Sequence, residues 1–371
     1  MSRTLADELE TGTETYGFDA LRGIQAGREF YVAMCPLKII PKLFVFTDYE
    51  MPSELRAQRT LRESRIPEIA NYIVNNSDNY VFSSLTASVD GKMKFSAAPG
   101  VGENGKIGRL YISMNSRMLI NDGQHRRAAI EEALKLKPEL GNEMISVVFF
   151  SDRGLKRSQQ MFSDLNKHAV KPTKSLGILY DHRDNFSQFI VKIANGVEVF
   201  HGRVELERTS ISNRSTKFFT LNGIADATKN LLKLKSKKIP EEQQKLAVVF
   251  WETVAKNIPE WQLLVEKKVS PSELRREFVH SHTNLLNALG IVGNVLINQY
   301  PDSWKEKLRG LQKIDWSRSN PQWQGRLVIQ GVMLKNKIGI ELAANTILKA
   351  CGAKIPSERE EYEKQKRSYD V

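Results

Sequence analysis

The chain has 371 residues, of which 41% are hydrophobic, and it carries a formal net charge of +12. That length can bury a large core and allows one large domain or two of ordinary size. The only two cysteines, Cys35 and Cys351, lie far apart, which argues against a disulfide framework and fits a reducing compartment. No segment approaches the roughly 20 apolar residues of a membrane span, and the polar, acidic start is unlike a signal peptide. We therefore expect a soluble cytoplasmic protein.

The positive charge is distributed unevenly along the chain. Residues 1–150 hold 18 Lys and Arg against 19 Asp and Glu, a net charge of −1. Residues 151–371 hold 37 against 24, a net charge of +13. A basic surface confined to part of a protein is the usual electrostatic footprint of a nucleic-acid binder. Solubility alone is the alternative explanation, and the asymmetry favours double-stranded DNA as a partner.

In the first half of the chain, predicted strands alternate with predicted helices. Runs rich in β-branched and aromatic residues predict strands at Phe30–Met34, Leu43–Phe46, Tyr80–Val89, Lys92–Phe95, Arg109–Met114, Met118–Ile120 and Met144–Phe150. Apolar periodicity predicts helices at Pro52–Leu61, Ile66–Val74 and Gln124–Lys135. Asp90-Gly91 is a hairpin signal, and Met1–Gly17 is expected to be disordered. The alternation is typical of a compact mixed α/β or α+β domain.

Beyond Lys174, strand patterns almost vanish. Helices are predicted at Lys174–Tyr180, Phe186–Ala194, Thr216–Leu232, Glu241–Asn257, Glu273–Gln299, Gln324–Leu334 and Gly339–Lys349. Ser270-Pro271 before the fifth of these combines a capping residue with proline at the first helical position. The tail from Pro356 is charged and expected to be loose. The predicted fold class is α+β: an α/β domain over residues 18–184, with its boundary near Asp184, and a basic helical region over 185–355.

The chain is organised around a short segment that we call the central turn, Asp122–Arg127, where a predicted strand passes into a predicted helix. Its histidine and two arginines fall in the first helical turn, where free N–H groups and the helix dipole attract an anion. Because arginine normally favours the last turn, its presence here predicts a bound phosphate. Asp122 would then orient His125 or Arg126, and Arg126 would bury little surface. The alternative is that both arginines are solvated and Asp122 merely caps the helix.

The sequence Asp122-Gly123-Gln124-His125-Arg126 resembles the signature of DGQHR-domain proteins. Those are similar to the ParB/sulfiredoxin group, whose corresponding turn holds nucleotide phosphates. Three longer stretches, Leu21–Arg28, Arg153–His168 and Ser175–Arg183, resemble the DndB family of the bacterial DNA phosphorothioate (sulfur) modification system. The resemblance implies a ParB/sulfiredoxin-like first domain. It also implies a DNA-binding regulator, in particular a transcriptional repressor of the modification genes, with other phosphorothioate-modification proteins as further partners.

The resemblance also implies a site for ATP or another nucleotide, with Mg²⁺, at the central turn. The expected catalytic residues are Asp122, His125 and Arg126, and the expected metal ligands are Asp122 and Asp181. The expected nucleotide contacts are Gly123, Gln124, His125, Arg126, Arg127, Asn166, Lys174 and Ser175. Ordinary capping and a solvated turn would equally explain Lys174 and Ser175, and a charged helix end is the favoured explanation for Asp181-His182-Arg183-Asp184.

Two groups of basic residues are the expected DNA contacts. They are Arg203, Arg208, Arg214 and Lys217 in the first group, and Lys233, Lys235, Lys237 and Lys238 in the second. The first group lies among hydroxyl and amide side chains, a mixture that contacts phosphate backbones. The lysine run can attract a backbone but cannot read sequence. An ordinary surface loop is the alternative for the first group.

Rival functions stay open at this point. The central turn could belong to an enzyme that hydrolyses nucleotides or nicks DNA, and the helical region could be a scaffold for other modification proteins. A homo-oligomer is also open. The chain has no G-x-x-x-x-G-K-[ST] or G-x-S-x-G motif, which disfavours the familiar ATPase and serine-hydrolase sites. Neither cysteine lies in a reactive motif, so we do not expect this chain to carry the sulfur.

Overall fold

A computed structural model describes residues 14–44, 65–100, 102, 104–151, 160–161, 164–165, 172–212, 214–234, 239–329, 332–333 and 336–367. They form two compact units, Met1–Val170 and Lys171–Val371. The fold is mixed α+β, as expected, and among the described residues the longer strands all lie in the first unit. Within these ranges, none of the helices has the length and apolar character needed to cross a membrane.

The first unit is built on a mixed seven-stranded sheet. In sheet order the strands are β4 (Met93–Ala97), β5 (Ile107–Ser113), β1 (Thr15–Gln25), β2 (Arg28–Pro36), β7 (Met144–Ser151), β3 (Leu85–Asp90) and β6 (Arg117–Asp122). Only β3 and β7 among these neighbours are parallel. The helices are α1 (Ile40–Leu43), α2 (Arg65–Asn75) and α3 (Gln124–Leu136). Ala87, Val147, Ile73 and Ile130 lie fully buried in one core, so α2 and α3 cover one face of the sheet.

Most predicted elements of the first unit are confirmed, including the passage from β6 into α3. Ile130 is fully buried as expected, and Leu134 is partly buried. The strand expected at Tyr80–Val89 begins only at Leu85. The predicted helix Pro52–Leu61 lies outside the described residues.

Three expectations for the first unit were wrong. Thr15–Gly17, expected to be disordered, opens β1 and pairs with β5, which supplies its backbone partners. Leu43 ends a helical turn, although the apolar run Leu43–Phe46 predicted a strand. Asp90-Gly91 does not form a hairpin between β3 and β4, because β3 pairs with β6 and β7 while β4 pairs with β5. The local turn signal is real, but distant strands determine the pairing.

The second unit is mainly helical. Its helices are α4 (Lys174–Tyr180), α5 (Asn185–Gly196), α6 (Leu221–Leu232), α7 (Glu241–Lys256), α8 (Pro259–Val265), α9 (Pro271–Glu277), α10 (Thr283–Gln299), α11 (Trp304–Lys307), α12 (Lys337–Ala350) and α13 (Ser357–Arg367). Two short strand pairs join them, β8 (Val204–Glu205) with β9 (Phe219–Thr220), and β10 (Val328–Ile329) with β11 (Val332–Met333). At the crossing of α6 and α10, a Cβ on Gly290 would overlap the carbonyl oxygen of Ala227, so glycine permits the close approach.

The division between the units falls before α4, earlier in the chain than the expected boundary near Asp184. The Thr173 hydroxyl donates to the carbonyl of Glu207. Ser175 Oγ donates to the carbonyl of Arg208 at 2.9 Å. These bonds attach the start of α4 to the second unit, which apolar periodicity alone could not reveal.

Four helix boundaries in the second unit differ from the predictions. The helix expected from Thr216 begins at Leu221, after a strand residue, Thr220, whose side chain caps it. The long helix expected over Glu273–Gln299 is broken, because Phe278 is extended and pairs with Ser317. Gln324–Leu334 is not a helix, since it contains β10 and β11. The tail expected to be loose from Pro356 is helical over Ser357–Arg367.

Charged groups explain why the tail is ordered. Arg359 is 8% exposed, and its guanidinium pairs with Glu341 of α12 at 2.7 Å. Arg326 binds both carboxylate oxygens of Glu363, at 2.8 and 3.0 Å. The tail has no apolar stripe, so its hydrophobic pattern gave no sign of this docking.

A buried histidine makes the stability of the second unit pH-dependent. His282 Nε2 accepts a hydrogen bond from Arg318 Nη2 at 2.7 Å. Burial, together with the nearby charge of Arg318, lowers the pKa of His282 to about 4. The folded state therefore favours the neutral ring.

We expect acid to destabilise the chain in the window that this shift defines. An unfolded histidine binds its proton near pH 6.5, so the contribution of His282 is complete above that value and is lost as the pH falls toward 4, by about 3 kcal/mol. Urea unfolding at steps across this window measures the change. His282→Asn, which keeps an acceptor but cannot titrate, should flatten the profile. An identical profile for the variant would contradict this assignment.

Candidate functional site

The central turn passes from β6 to α3 at a single residue. Asp122 ends β6 and Gln124 opens α3, so Gly123 alone forms the connection. Gly123 has a φ of +107°, in the left-handed region that favours glycine. A Cβ at this position would collide with Leu85 Cδ2 and lie 3.2 Å from Arg126 Nη2. The turn therefore requires glycine for both its backbone conformation and its packing.

Arg126 holds the turn against the chain that enters β3. Its Nη2 donates to Asp122 Oδ2 at 2.7 Å, so Asp122 orients Arg126, as expected. Its Nη1 donates to the carbonyls of Ser83, at 2.6 Å, and Ser84, at 2.9 Å, and also contacts the Ser83 hydroxyl. The Arg126 side chain is only 16% exposed. The expectation that it buries little surface was wrong, because its acceptors are supplied by the protein.

Two other residues of the turn also have internal partners. Gln124 Nε2 donates back to the carbonyl of Ile120 at 3.1 Å. Arg127 pairs with Glu131 at 2.5 Å and donates to the carbonyl of Pro41 at 3.1 Å. Both Gln124 and Arg127 are 9% exposed. These contacts secure the start of α3, whereas the sequence predicted nucleotide contacts for both side chains.

The histidine of the central turn, His125, follows Gln124 at the start of α3. It is half-buried in the first turn of α3, next to the positive end of the helix dipole. The carbonyl of Gly123 accepts the first helical hydrogen bond, from the N–H of Arg127 at 2.9 Å. His125 and the first N–H groups of α3 are therefore the parts of the turn best suited to an incoming anion.

Sequence reasoning missed a buried polar residue beside the turn. Asn121 is fully buried in β6, although the predicted strand ended at Ile120. Its Nδ2 donates to Ser88 Oγ at 2.5 Å and approaches Met161 Sδ at 3.1 Å. Extending the predicted strand Met118–Ile120 by two residues would have put Asn121 on the same face of the sheet as Ser88.

The two expected metal ligands, Asp122 and Asp181, both accept hydrogen bonds from other groups of the protein. Asp122 pairs with Arg126, and Asp181 Oδ1 accepts the N–H groups of Arg183 and Asp184, at 3.1 and 3.0 Å. Across the described residues, no three His, Cys, Asp or Glu side chains cluster as metal ligands. A cation at Asp122 would have to compete with a guanidinium, so this donor set fits Mg²⁺ poorly.

In the second unit, the expected DNA contacts centre on what we call the basic loop, residues 206–218, between β8 and β9. Buried side chains fix its backbone at both ends. Ser175, fully buried, binds the carbonyl of Arg208. Arg275, 6% exposed, donates to the carbonyls of Ser215, at 2.5 Å, and Lys217. The sequence predicted Ser175 as a phosphate contact and offered no signal for Arg275.

The side chains of the basic loop divide into exposed and anchored groups. Arg208 and Arg214 are exposed. Lys217 is half-buried, and its Nζ donates to the carbonyl of Gly202 at 3.1 Å. Arg203, which precedes the loop, donates to the carbonyls of Glu198, at 3.0 Å, and Val265, at 3.4 Å. Arg203 thus has a packing role within the second unit.

The remaining expected site residues lie elsewhere. Lys174 is exposed in α4, and Lys233 is exposed at the end of α6 with a φ of +43°. Asn166, Lys235, Lys237 and Lys238 lie outside the described residues.

We expect Arg126→Ala to destabilise the fold, because it removes the ion pair with Asp122 and the donor to the Ser83 and Ser84 carbonyls. Hydrogen bonds of charged groups contribute about 1.5–3 kcal/mol, so the free energy of unfolding should fall by about 2–3 kcal/mol. Arg126→Lys should recover part of this, since an ammonium cannot reproduce the planar fork. Urea unfolding measures both variants. Arg117→Ala, an exposed arginine in β6, serves as the control and should change stability by less than about 0.5 kcal/mol. Equal stability of the Arg126 and Arg117 variants would show that the clip, which Arg126 forms with Asp122, Ser83 and Ser84, is unimportant for stability.

Comparisons with known proteins identify the family. Searches of curated proteins and of solved structures found no match. A profile of the DndB family, described as DNA-sulfur modification-associated, matches residues 18–354. The match includes the central turn and the basic loop and extends over most of both units. The chain therefore belongs to the DndB family and is involved in DNA sulfur modification.

Proposed function

We propose that this chain is a DNA-binding regulator of a DNA sulfur modification system, acting as a transcriptional repressor of the modification genes. The observation that carries the proposal is the construction of the basic loop. Arg208 and Arg214 extend into solvent from a backbone that Ser175 and Arg275 hold in place. Membership of the DndB family makes DNA a reasonable partner.

Two physical arguments support DNA as the partner of this loop. Its exposed side chains mix guanidinium groups with the hydroxyls of Thr209, Ser210 and Ser212, the combination that contacts phosphate oxygens. An anchored loop also loses less conformational entropy on binding than a free one. The net charge of +13 over residues 151–371 adds a long-range attraction for a polyanion.

We expect duplex DNA binding that weakens steeply with salt. Arg208→Glu combined with Arg214→Glu should lower affinity more than about 10-fold and reduce the slope of log affinity against log salt by about 2, because two phosphate contacts are lost. Fluorescence anisotropy with a labelled duplex at several salt concentrations measures both quantities. Lys217 is left intact because it anchors the loop.

The matched control reverses two exposed arginines of the first unit, Arg65→Glu with Arg117→Glu. It changes the net charge by the same amount and should have a much smaller effect. Equal losses of DNA affinity from the two pairs of substitutions would show that the basic loop is not part of the DNA-binding surface. Affinity that is insensitive to both pairs, with partner proteins still captured, would favour the scaffold function.

A second candidate function is phosphate or nucleotide binding at the central turn, on a first unit that we propose is ParB/sulfiredoxin-like. A specific observation favours it: Gly123 brings the backbone directly into α3, so the first N–H groups of the helix and His125 share one short turn. We assign the anion to His125 and these N–H groups, and leave Arg126 to hold the turn.

We expect His125→Ala to weaken ATP, CTP or phosphate binding roughly 10- to 150-fold, as loss of one charge-assisted contact would. Titration calorimetry measures the affinity, and urea unfolding of the same variant separates a binding loss from a folding loss. His182→Ala, an exposed histidine of the second unit, is the control. No binding by the wild-type chain would exclude this candidate, whereas Mg²⁺-dependent release of phosphate would favour the nucleotide-hydrolysing alternative.

A further inference from the structure

The face of the first-unit sheet opposite its helices carries an exposed apolar patch. Leu21, Met34 and Ile107 are exposed by 54%, 51% and 59%. Leu21 pairs with Val32 of β2 and with Ile107 of β5, and residues paired across strands point to the same side. Met34 lies two residues beyond Val32 and so shares this side. Apolar side chains that gather on one open face usually mark an interaction site.

The patch forms the floor of a groove with a volume of about 670 Å³. Residues 96–99 line one wall, and Leu21, Met34 and Ile107 line the floor. Met34 also lines a second hollow of about 550 Å³, so the concave surface continues across the sheet. At the other edge of the same face, Ser88 and Asn121 contact Met161. The open region therefore lies over β5, β1 and β2.

The groove contains one acidic and one basic residue side by side. Asp19 pairs with Arg109 in the strand register, and the shortest distance between their charged atoms is 3.9 Å. Their side chains are 92% and 54% exposed, so this intrachain pair contributes little. Each group keeps the capacity to bind a second charge of opposite sign.

We propose that this groove is a two-fold interface with a second copy of the chain. In a two-fold contact, each residue meets its counterpart reciprocally, so Asp19 of one copy faces Arg109 of its partner, and the reverse. Leu21 and Ile107 form the next residue pair on the same side of β1 and β5, so they lie beside the two ion pairs and are buried by the contact. The patch thus becomes the apolar centre of the interface, with the ion pairs on one side of it.

Charge supports a second copy over a foreign partner. The groove pairs one acid with one base, which suits neither a strongly acidic nor a strongly basic partner. Residues 1–150 have a net charge of −1, whereas residues 151–371 have +13. Two copies therefore approach with least repulsion through the first unit. This inference does not depend on DNA or nucleotide binding.

The test uses the purified full chain and two single charge reversals, Asp19→Arg and Arg109→Asp. Sedimentation equilibrium of the wild-type chain should give twice the chain mass of 42.2 kDa at micromolar concentration. Each variant alone should raise the dimer dissociation constant by about 10-fold or more, because two like-charge contacts replace two ion pairs. An equimolar mixture of the two variants should restore the dimer. In the mixed dimer, the introduced arginine of one copy meets the introduced aspartate of the other, and the unchanged Arg109 meets the unchanged Asp19.

The apolar centre is tested with a matched pair in β1. Leu21→Asp should abolish the dimer, while Ile24→Asp should leave it intact, because Ile24 is 74% exposed but lies on the opposite side of the strand. Circular dichroism confirms that each variant is folded. A wild-type chain that stays monomeric at micromolar concentration, failure of the mixture to restore the dimer, or equal effects of the two aspartates would each overturn the proposal.

Discussion

The first unit depends on the placement of one guanidinium group. Arg126 joins the end of β6 to the chain entering β3 through Asp122, Ser83 and Ser84. Those segments are distant in sequence, and β3 is a buried strand that lies between β7 and β6 in the sheet. With the guanidinium in place, Gly123 can adopt its left-handed conformation and α3 can begin immediately. The central turn therefore has a structural role, because it fixes the end of β6 relative to the start of β3.

A similar device recurs in the second unit. Arg275, itself buried, donates from both of its terminal nitrogens to carbonyls of the basic loop. In both units a planar, permanently charged donor fixes an irregular segment by satisfying several carbonyls at once. The consequence differs. In the first unit the arrangement positions a helix start with His125, and in the second it leaves Arg208 and Arg214 pointing into solvent.

What the sequence could predict follows from how local each signal is. Helical periodicity correctly placed Ile66–Val74 and Gly339–Lys349, because a helix is stabilised by residues three and four apart. Strand partners are distant, so the Asp90-Gly91 signal could not reveal that β3 pairs with β7. At the central turn, residue types predicted a cationic helix start. They could not show that the hydrogen-bond acceptors of Arg126 come from the protein itself, because the Ser83 and Ser84 carbonyls approach it only in the folded chain, together with Asp122.

The central claim, that Arg126 of the central turn is a structural clip, is tested most directly by a double-mutant cycle. Urea unfolding of Asp122→Ala, Arg126→Ala and the double variant yields the coupling free energy of the pair. Because the Asp122 carboxylate is half-exposed, solvent weakens its interaction with Arg126, and we predict a coupling of about 1–2 kcal/mol. Additive losses of unfolding free energy, with a coupling near zero, would contradict this claim. A large loss of nucleotide affinity in Arg126→Ala would then indicate that Arg126 binds the phosphate.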